Sequence, residues 1–235
     1  MTSASLAGKS AIVTGGSRGI GRAVAESLVG AGVRVTLLAR DAKALGRVAG
    51  ELGARAIPCD VASEADIDRA LEQIGNAAPD ILVNNAGLFQ PRPLDETSPE
   101  ALAAALEVNL VAPFRFVHAI VPKMRARGSG HIVSIGSIAD HQTFPGNAAY
   151  GASKHALRAL HDVMRTELHG TGVRVTLISP GPVDTSLWDE IDPDSREGFT
   201  PRSRMLRPDA VAAAVLFAVS QPADVDIELV RLSRS

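Results

Sequence analysis

Short runs of consecutive apolar residues alternate along this chain with longer stretches whose apolar positions recur every three or four residues. The short runs are Ser10–Thr14, 33–39, 54–59, 80–84, 131–135, 173–179 and 225–232. Between them, Gly19–Gly30, Ala42–Leu52, 64–76, 98–111, 113–127, 150–169 and 208–220 carry helical spacing. Unbroken rather than alternating apolar strands predict a parallel sheet buried on both faces. The expected fold is therefore α/β, a doubly wound parallel sheet of about seven strands with helices on both faces. Ligands in such folds bind beyond the carboxyl ends of the strands. No linker, repeat or low-complexity stretch interrupts the alternation, so residues 1–235 read as one domain.

Two connections exceed the rest. Residues 138–147 join the fifth strand to the helix that follows it. Residues 180–207 form a longer loop with several prolines and the only tryptophan, Trp188. A loop of that length reads as a lid or binding element over a substrate, or as a disordered insertion.

The long helix opens with Tyr150-Gly151-Ala152-Ser153-Lys154 and continues through Ala156, Leu157, Leu160, Val163, Met164 and Leu168. Four residues are about one turn, so Tyr150 and Lys154 share a face. A phenol titrates near 10, and an adjacent ammonium stabilises its anion. The pair reads as a proton-transfer device or as a chance pairing on a helix surface.

The first strand runs into Thr14-Gly15-Gly16-Ser17-Arg18-Gly19-Ile20-Gly21. A glycine-rich turn between first strand and first helix is where a Rossmann fold binds a pyrophosphate. Gly15, Gly19 and Gly21 allow a tight turn, close backbone approach and close helix packing. The helix N-terminus, with Ser17, Arg18 and Ile20, then offers N–H groups to the phosphates. The second strand ends in Ala39-Arg40, with the acid, Asp41, only afterwards. Arg40 and Arg18 suit a 2′-phosphate, so NADP(H) is the expected cofactor; they also read as two solvated arginines. Asp60 and Val61 follow the third strand, where an adenine would lie. Asn84, Asn85, Ala86 and Gly87 end the fourth strand; the amides can tie strands together, and Ala86 and Gly87 leave room for the cofactor.

Composition narrows the field. Apolar residues make up 46% of the 235, charged residues 21%, and aromatics only 3%. A formal charge of −2 with no basic run argues against nucleic acid or an anionic membrane as partner. The single cysteine, Cys59, excludes an intrachain disulfide and reads as a small buried thiol. The six histidines show no ligand spacing, so no metal site is expected. Met1 to Gly8 has no signal-peptide core, and no uninterrupted apolar run reaches the length of a membrane span. The expected location is the cytoplasm.

These pieces together resemble the short-chain dehydrogenase/reductase family. The matching motifs are Thr14-Gly15-(x)3-Gly19-Ile20-Gly21, Asn84-Asn85-Ala86-Gly87, Asn109, Ser137, Tyr150-(x)3-Lys154 and Pro180-Gly181, in order along about four fifths of the chain. The resemblance implies an oxidoreductase that reduces a ketone, aldehyde or 3-oxoacyl carbonyl to an alcohol. Tyr150 would be the general acid and Lys154 would lower its pKa and bind the nicotinamide ribose. Ser137 would hold the substrate oxygen, and Asn109 a water linked to Lys154. Pro180, Gly181 and Val183 would border the nicotinamide, with Thr185 on its carboxamide. Read without the family, Ser137 is equally a turn or cap residue, and Asn109 a cap before Pro113. The alternatives are an alcohol or hydroxysteroid dehydrogenase working oxidatively, and a non-catalytic NADP(H)-binding sensor.

Phe89, His141, Phe144, Leu187 and Trp188 lie in loops expected to rim an apolar substrate pocket. The resemblance also implies a dimer or tetramer through the helices near 98–127 and 148–169, where Ala152, Ala156, Ala159 and Val163 would permit close packing or else face solvent. The chain closes with Ser233-Arg234-Ser235 directly after its last strand, whereas many relatives end in a glycine-containing interface segment. A dimer is therefore the safer expectation.

Overall fold

The computed structural model describes residues 5–235; residues 1–4, within the Met1–Gly8 stretch read above, lie outside it. Seven strands form one parallel sheet in the order β3-β2-β1-β4-β5-β6-β7. They are β1 (Ser10–Thr14), β2 (Arg34–Ala39), β3 (Arg55–Pro58), β4 (Ile81–Asn84), β5 (Gly130–Ile135), β6 (Val173–Pro180) and β7 (Leu229–Leu232). The strand order reverses between β1 and β4, which opens a crevice at their carboxyl ends.

Both faces of the sheet are buried, and residues alternate between them with a period of two. Ala11 and Val13 of β1, with Ile81 and Val83 of β4, join one core. Helices α1 (Gly19–Gly30), α2 (Ala42–Leu52) and α7 (Pro208–Val219) cover that face with Val24, Leu28, Leu45, Val48, Val211 and Val215. Ile12 and Leu82 point the other way, into a core made with α3 (Glu64–Ile74), α5 (Ala112–Arg127) and α6 (Ala148–Leu168). Few aromatics are needed because β-branched and Leu side chains fill both layers; Phe116 is the aromatic member of the second.

Several boundaries differ from the pattern. The last apolar run forms a strand only over Leu229–Leu232. The two helical stretches near 98–127 are one continuous run: α4 (Pro99–Leu106) passes through a wide π turn, Glu107–Val111, into α5. Pro113 directly follows the π turn, so the hydrogen bond its missing N–H cannot make falls where the helix already departs from α spacing. This run of 29 residues is long and apolar enough to cross a membrane by length and composition. Here it is a core helix, with Ala105, Ala112, Phe116, Ile120 and Met124 buried. Cys59 is buried in the second core, and burial pushes its thiol up to about 11. Ala152, Ala159 and Val163 lie exposed on the outer face of α6.

Candidate active site

A cleft of about 1770 Å³ runs along the carboxyl ends of the strands, from Arg40 and Asp60 at one end to Ser137, Tyr150 and Trp188 at the other.

Its first end is shaped by backbone. Gly15 has φ +67°, and a Cβ there would come 2.8 Å from Asn85 Nδ2 and 3.0 Å from Ala86 Cα. The turn carries the chain into α1. Asp41, Ser63 and Ser98 accept hydrogen bonds from the first turns of α2, α3 and α4, but α1 has no side-chain cap and no acid in its first turn. Its leading N–H groups therefore face the cleft beside Ser17, Arg18, Gly19 and Ile20, a ready anion site. Thr14 Oγ1 accepts from the Asn85 and Ala86 amides, both at 3.0 Å, and Asn85 Nδ2 donates to Thr14 O at 2.8 Å. These bonds fix the β1–β4 edges where the crevice opens.

Two predicted cofactor residues lie off the cleft wall. Gly21 packs α1 on the turn: a Cβ there would sit 2.3 Å from Gly15 O. Asn84 is buried, and neither its Oδ1 nor its Nδ2 has a protein partner; Asn85 lines the cleft in its place. The strand-tying role read for the two amides thus falls to Asn85, and the cofactor contact expected of Asn84 is not supported by its place behind the wall. Gly15, Ser17, Arg18, Gly19, Ile20, Arg40, Asp60, Val61, Ala86, Gly87, Pro180, Gly181, Val183 and Thr185 all border the cleft. Arg18 and Arg40 are exposed, and neither forms an ion pair among the described residues. The neighbouring acid is engaged elsewhere: Asp41 Oδ1 accepts from Ala44 N at 2.9 Å.

At the other end, Ser137, Tyr150 and Lys154 converge. Ser137 follows β5 and caps a short 3-10 turn, Ile138–Asp140. Its Oγ accepts from Ala139 N at 3.1 Å, which leaves its own proton free for a group in the cleft. Cap and substrate ligand are thus compatible roles for one hydroxyl. Lys154, 5% exposed, donates to Ile135 O at 2.9 Å and lies 5.7 Å from the Tyr150 ring centre. Burial lowers its pKa to about 8, opposed by the Asp140 carboxylate.

Tyr150 differs from the sequence expectation. Burial pushes its phenol up to about 12; the Ser137 hydroxyl opposes that rise and Asp140 adds to it. Burial of the phenol outweighs the lowering expected from Lys154, whose ammonium donates to the Ile135 carbonyl.

Asn109 lies behind the wall rather than in it. Its position in the π turn aims the amide inward: Oδ1 accepts from Leu88 N at 2.8 Å, and Nδ2 donates to Leu88 O and Ser153 Oγ, both at 2.9 Å. Both amide protons are used, so a water on this side chain is left one lone pair of Oδ1.

The substrate end is aromatic. Phe89 meets the Tyr150 ring edge-on at 4.7 Å and Trp188 at 5.1 Å, and Trp188 meets Phe199 at 6.1 Å. Trp188, Ile191 and Met205 form a small core of their own inside the long loop, and Trp188 Nε1 donates to Val183 O at 3.0 Å. Arg202 ties that loop across itself, reaching Asp184 at 2.8 Å and Asp189 at 2.6 Å. The loop also carries short 3-10 turns at Ser186–Trp188 and Arg202–Arg204. Phe144, Leu187 and Phe199 complete the wall. His141, expected at the rim, turns away to Asp140. Phe199 and Asp140 escaped the sequence reading, since a loop Phe and a single acid carry no periodic signal.

A profile of the family described as short chain dehydrogenase matches residues 9–196. The chain is a short-chain dehydrogenase. An oxidoreductase of Staphylococcus saprophyticus is 35% identical to it over 229 residues, covering 93% of this chain and 94% of that one. Among solved structures, a protein described as a short chain dehydrogenase/reductase family protein superposes with a TM-score of 0.88 at 32% identity over 97% of both chains. The closed form of a serine dehydrogenase complexed with NADP+ superposes at 0.85, with 31% identity over 94% of this chain and 93% of that one. This short-chain dehydrogenase is therefore an oxidoreductase of Rossmann fold, with a relative that binds NADP.

Proposed function

We propose that this short-chain dehydrogenase reduces an apolar ketone, aldehyde or 3-oxoacyl compound to an alcohol, using NADPH, with Tyr150 as the proton donor. The observation that carries this reading is the convergence of Tyr150 and Ser137 on the cleft with Lys154 directly behind. The chain's residues fit the cofactor. The uncapped α1 terminus and the Gly15 and Gly19 turn suit a pyrophosphate, and Arg18 and Arg40 are free to meet a 2′-phosphate. When bound, the nicotinamide supplies hydride. The protein supplies orientation and a proton.

A substrate carbonyl oxygen set between Tyr150 Oη and Ser137 Oγ meets two donors already in place. They stabilise the alkoxide as its charge develops, and Tyr150 passes it a proton. The phenol is protonated at neutral pH, the form in which it can give a proton to the developing alkoxide. Lys154, lowered to about 8, still carries charge at pH 7. One of its three donors is spent on Ile135; the others remain for the ribose and for returning a proton to Tyr150. Phe89, Phe144, Trp188 and Phe199 favour an apolar substrate body.

The test is NADPH oxidation across ketones, aldehydes and 3-oxoacyl thioesters, in the parent and in Tyr150→Phe. The variant should lose roughly 100- to 10,000-fold in kcat while binding NADPH as the parent does. Binding without turnover by the parent on every compound would make the protein a sensor. Undiminished turnover by Tyr150→Phe would remove the proposed acid.

A further inference from the structure

We propose that Asp140 is a positioning residue of this site, an internal counter-ion that holds the Lys154 ammonium in its charged form and seats Ser137. The proposal rests on the catalytic reading above and deepens it.

Asp140 is 1% exposed. An isolated buried carboxylate costs several kcal/mol, so its retention calls for partners. It has them on three elements. On its own turn, His141 Nδ1 lies 2.6 Å from Oδ1 and Ser137 N donates to Oδ2 at 3.4 Å. From β6, Ser179 donates to Oδ2. From α6, Arg158 Nη1 stands 3.8 Å from Oδ1. Space for the carboxylate comes from Gly136, where a Cβ would lie 2.6 Å from Oδ2.

The location is what gives this cluster a role in the chemistry. Lys154 Nζ bonds the carbonyl of Ile135, and Asp140 Oδ2 lies against Gly136, the next residue. Tyr150, Lys154 and Arg158 follow one another at four-residue intervals along α6. The carboxylate therefore lies 3.8 Å from one cation of this helix face, Arg158, one residue along the chain from the carbonyl that binds the other, Lys154, and under the residue that caps the turn. Its negative charge opposes the desolvation of Lys154 and raises the phenol of Tyr150. The first effect suits a donor site, because the ammonium keeps its charge.

A purely structural cap would behave differently, and Lys154 itself reports the difference. The chain has four lysines, Lys9, Lys43, Lys123 and Lys154, so its ε-carbon can be followed by NMR in cofactor-free protein labelled with 13C-lysine. In the parent its midpoint is expected at about 8. Asp140→Asn keeps the shape and removes the charge; the midpoint should fall by about one pH unit. Arg158→Gln removes the competing cation and should move the midpoint upward. Should Asp140→Asn fail to fold, Asp140→Ser removes the same charge and should lower the midpoint likewise. A Lys154 midpoint that stays at the parent value in the variant that folds overturns the proposal. In NADPH-dependent turnover, the alkaline loss of kcat should move to lower pH in Asp140→Asn. A merely structural defect would instead lower kcat equally at every pH. Failure of the catalytic reading is a separate outcome: Tyr150→Phe would then turn over normally while the Lys154 titration still responded to Asp140→Asn.

Discussion

Gly15, Gly19 and Gly21 shape one end of the cleft with backbone, whereas Phe89, Trp188 and Phe199 shape the other with side chains carried on loops. The first end is formed where the sheet order reverses and where α1 begins, so its geometry follows from the fold. The second depends on a satellite core inside the 181–207 connection, built from a handful of residues. Backbone that must approach a ligand admits no alternative residue. A wall of loop side chains can be recut by single substitutions with the scaffold intact. That contrast is why the cofactor class can be argued from residues while the substrate is narrowed only to an apolar carbonyl.

The strongest way to break the comparison is Gly21→Ala. The added methyl would lie 2.3 Å from Gly15 O and 2.5 Å from Asn85 Nδ2. Neither neighbour can yield cheaply, because Asn85 is bonded to Thr14 O and Gly15 O is main chain. Overpacking of this kind costs about 3 kcal/mol or more when backbone must move. Urea unfolding should show that loss, and NADPH binding should fall together with stability. A variant with parent stability and affinity would mean that the turn is far softer than its packing indicates.

Trp188→Ala probes the opposite end and should act more locally. Trp188 anchors Ile191, Met205, Phe89 and Phe199, and its indole N–H is satisfied by Val183 O. Truncating a buried aromatic typically costs about 3–5 kcal/mol, but this cluster is separate from the two main cores. The loss should appear as local opening rather than global unfolding. Limited proteolysis between residues 181 and 207 should quicken, and KM for the carbonyl substrate should rise by about tenfold, a loss of roughly 1.4 kcal/mol of binding. NADPH affinity should hold. Loss of cofactor binding in this variant would show that the two ends are not independent.

How much could be read from the sequence follows the same division. The apolar runs matched six of the strands nearly residue by residue, because most positions of a sheet covered on both faces are apolar. The seventh shrank to Leu229–Leu232, since an edge strand pairs on one side only and Asp226 and Glu228 carry no strong preference for it. Asn109 was visible as an interruption, yet the π turn that keeps the helix continuous was not, because no residue type encodes it uniquely. Tyr150 and Lys154 were legible from four-residue spacing. The direction of their pKa shifts was not, since burial is set by the tertiary packing around them and the inward turn of Asp140 is not visible in residue type.

The smallest expected effect lies at the rim of the backbone-shaped end. Arg40 follows β2, exposed and without an ion pair among the described residues, and Asp41, the residue that could repel a 2′-phosphate, spends one oxygen on the cap of α2. A guanidinium on a phosphate makes short, charge-assisted bonds, but an exposed one is screened and must be ordered to do so. Arg40→Gln should therefore weaken NADPH by about tenfold, near 1.4 kcal/mol, and leave NADH unchanged. The difference should narrow as salt rises, because only the phosphate contact is electrostatic at long range. Arg18, on the glycine turn, would carry what preference remains, so the double substitution should bring the two cofactors close to parity. Equal affinities in the parent would mean that these arginines are solvated surface charges and that the cofactor end of the cleft recognises only the part the two dinucleotides share.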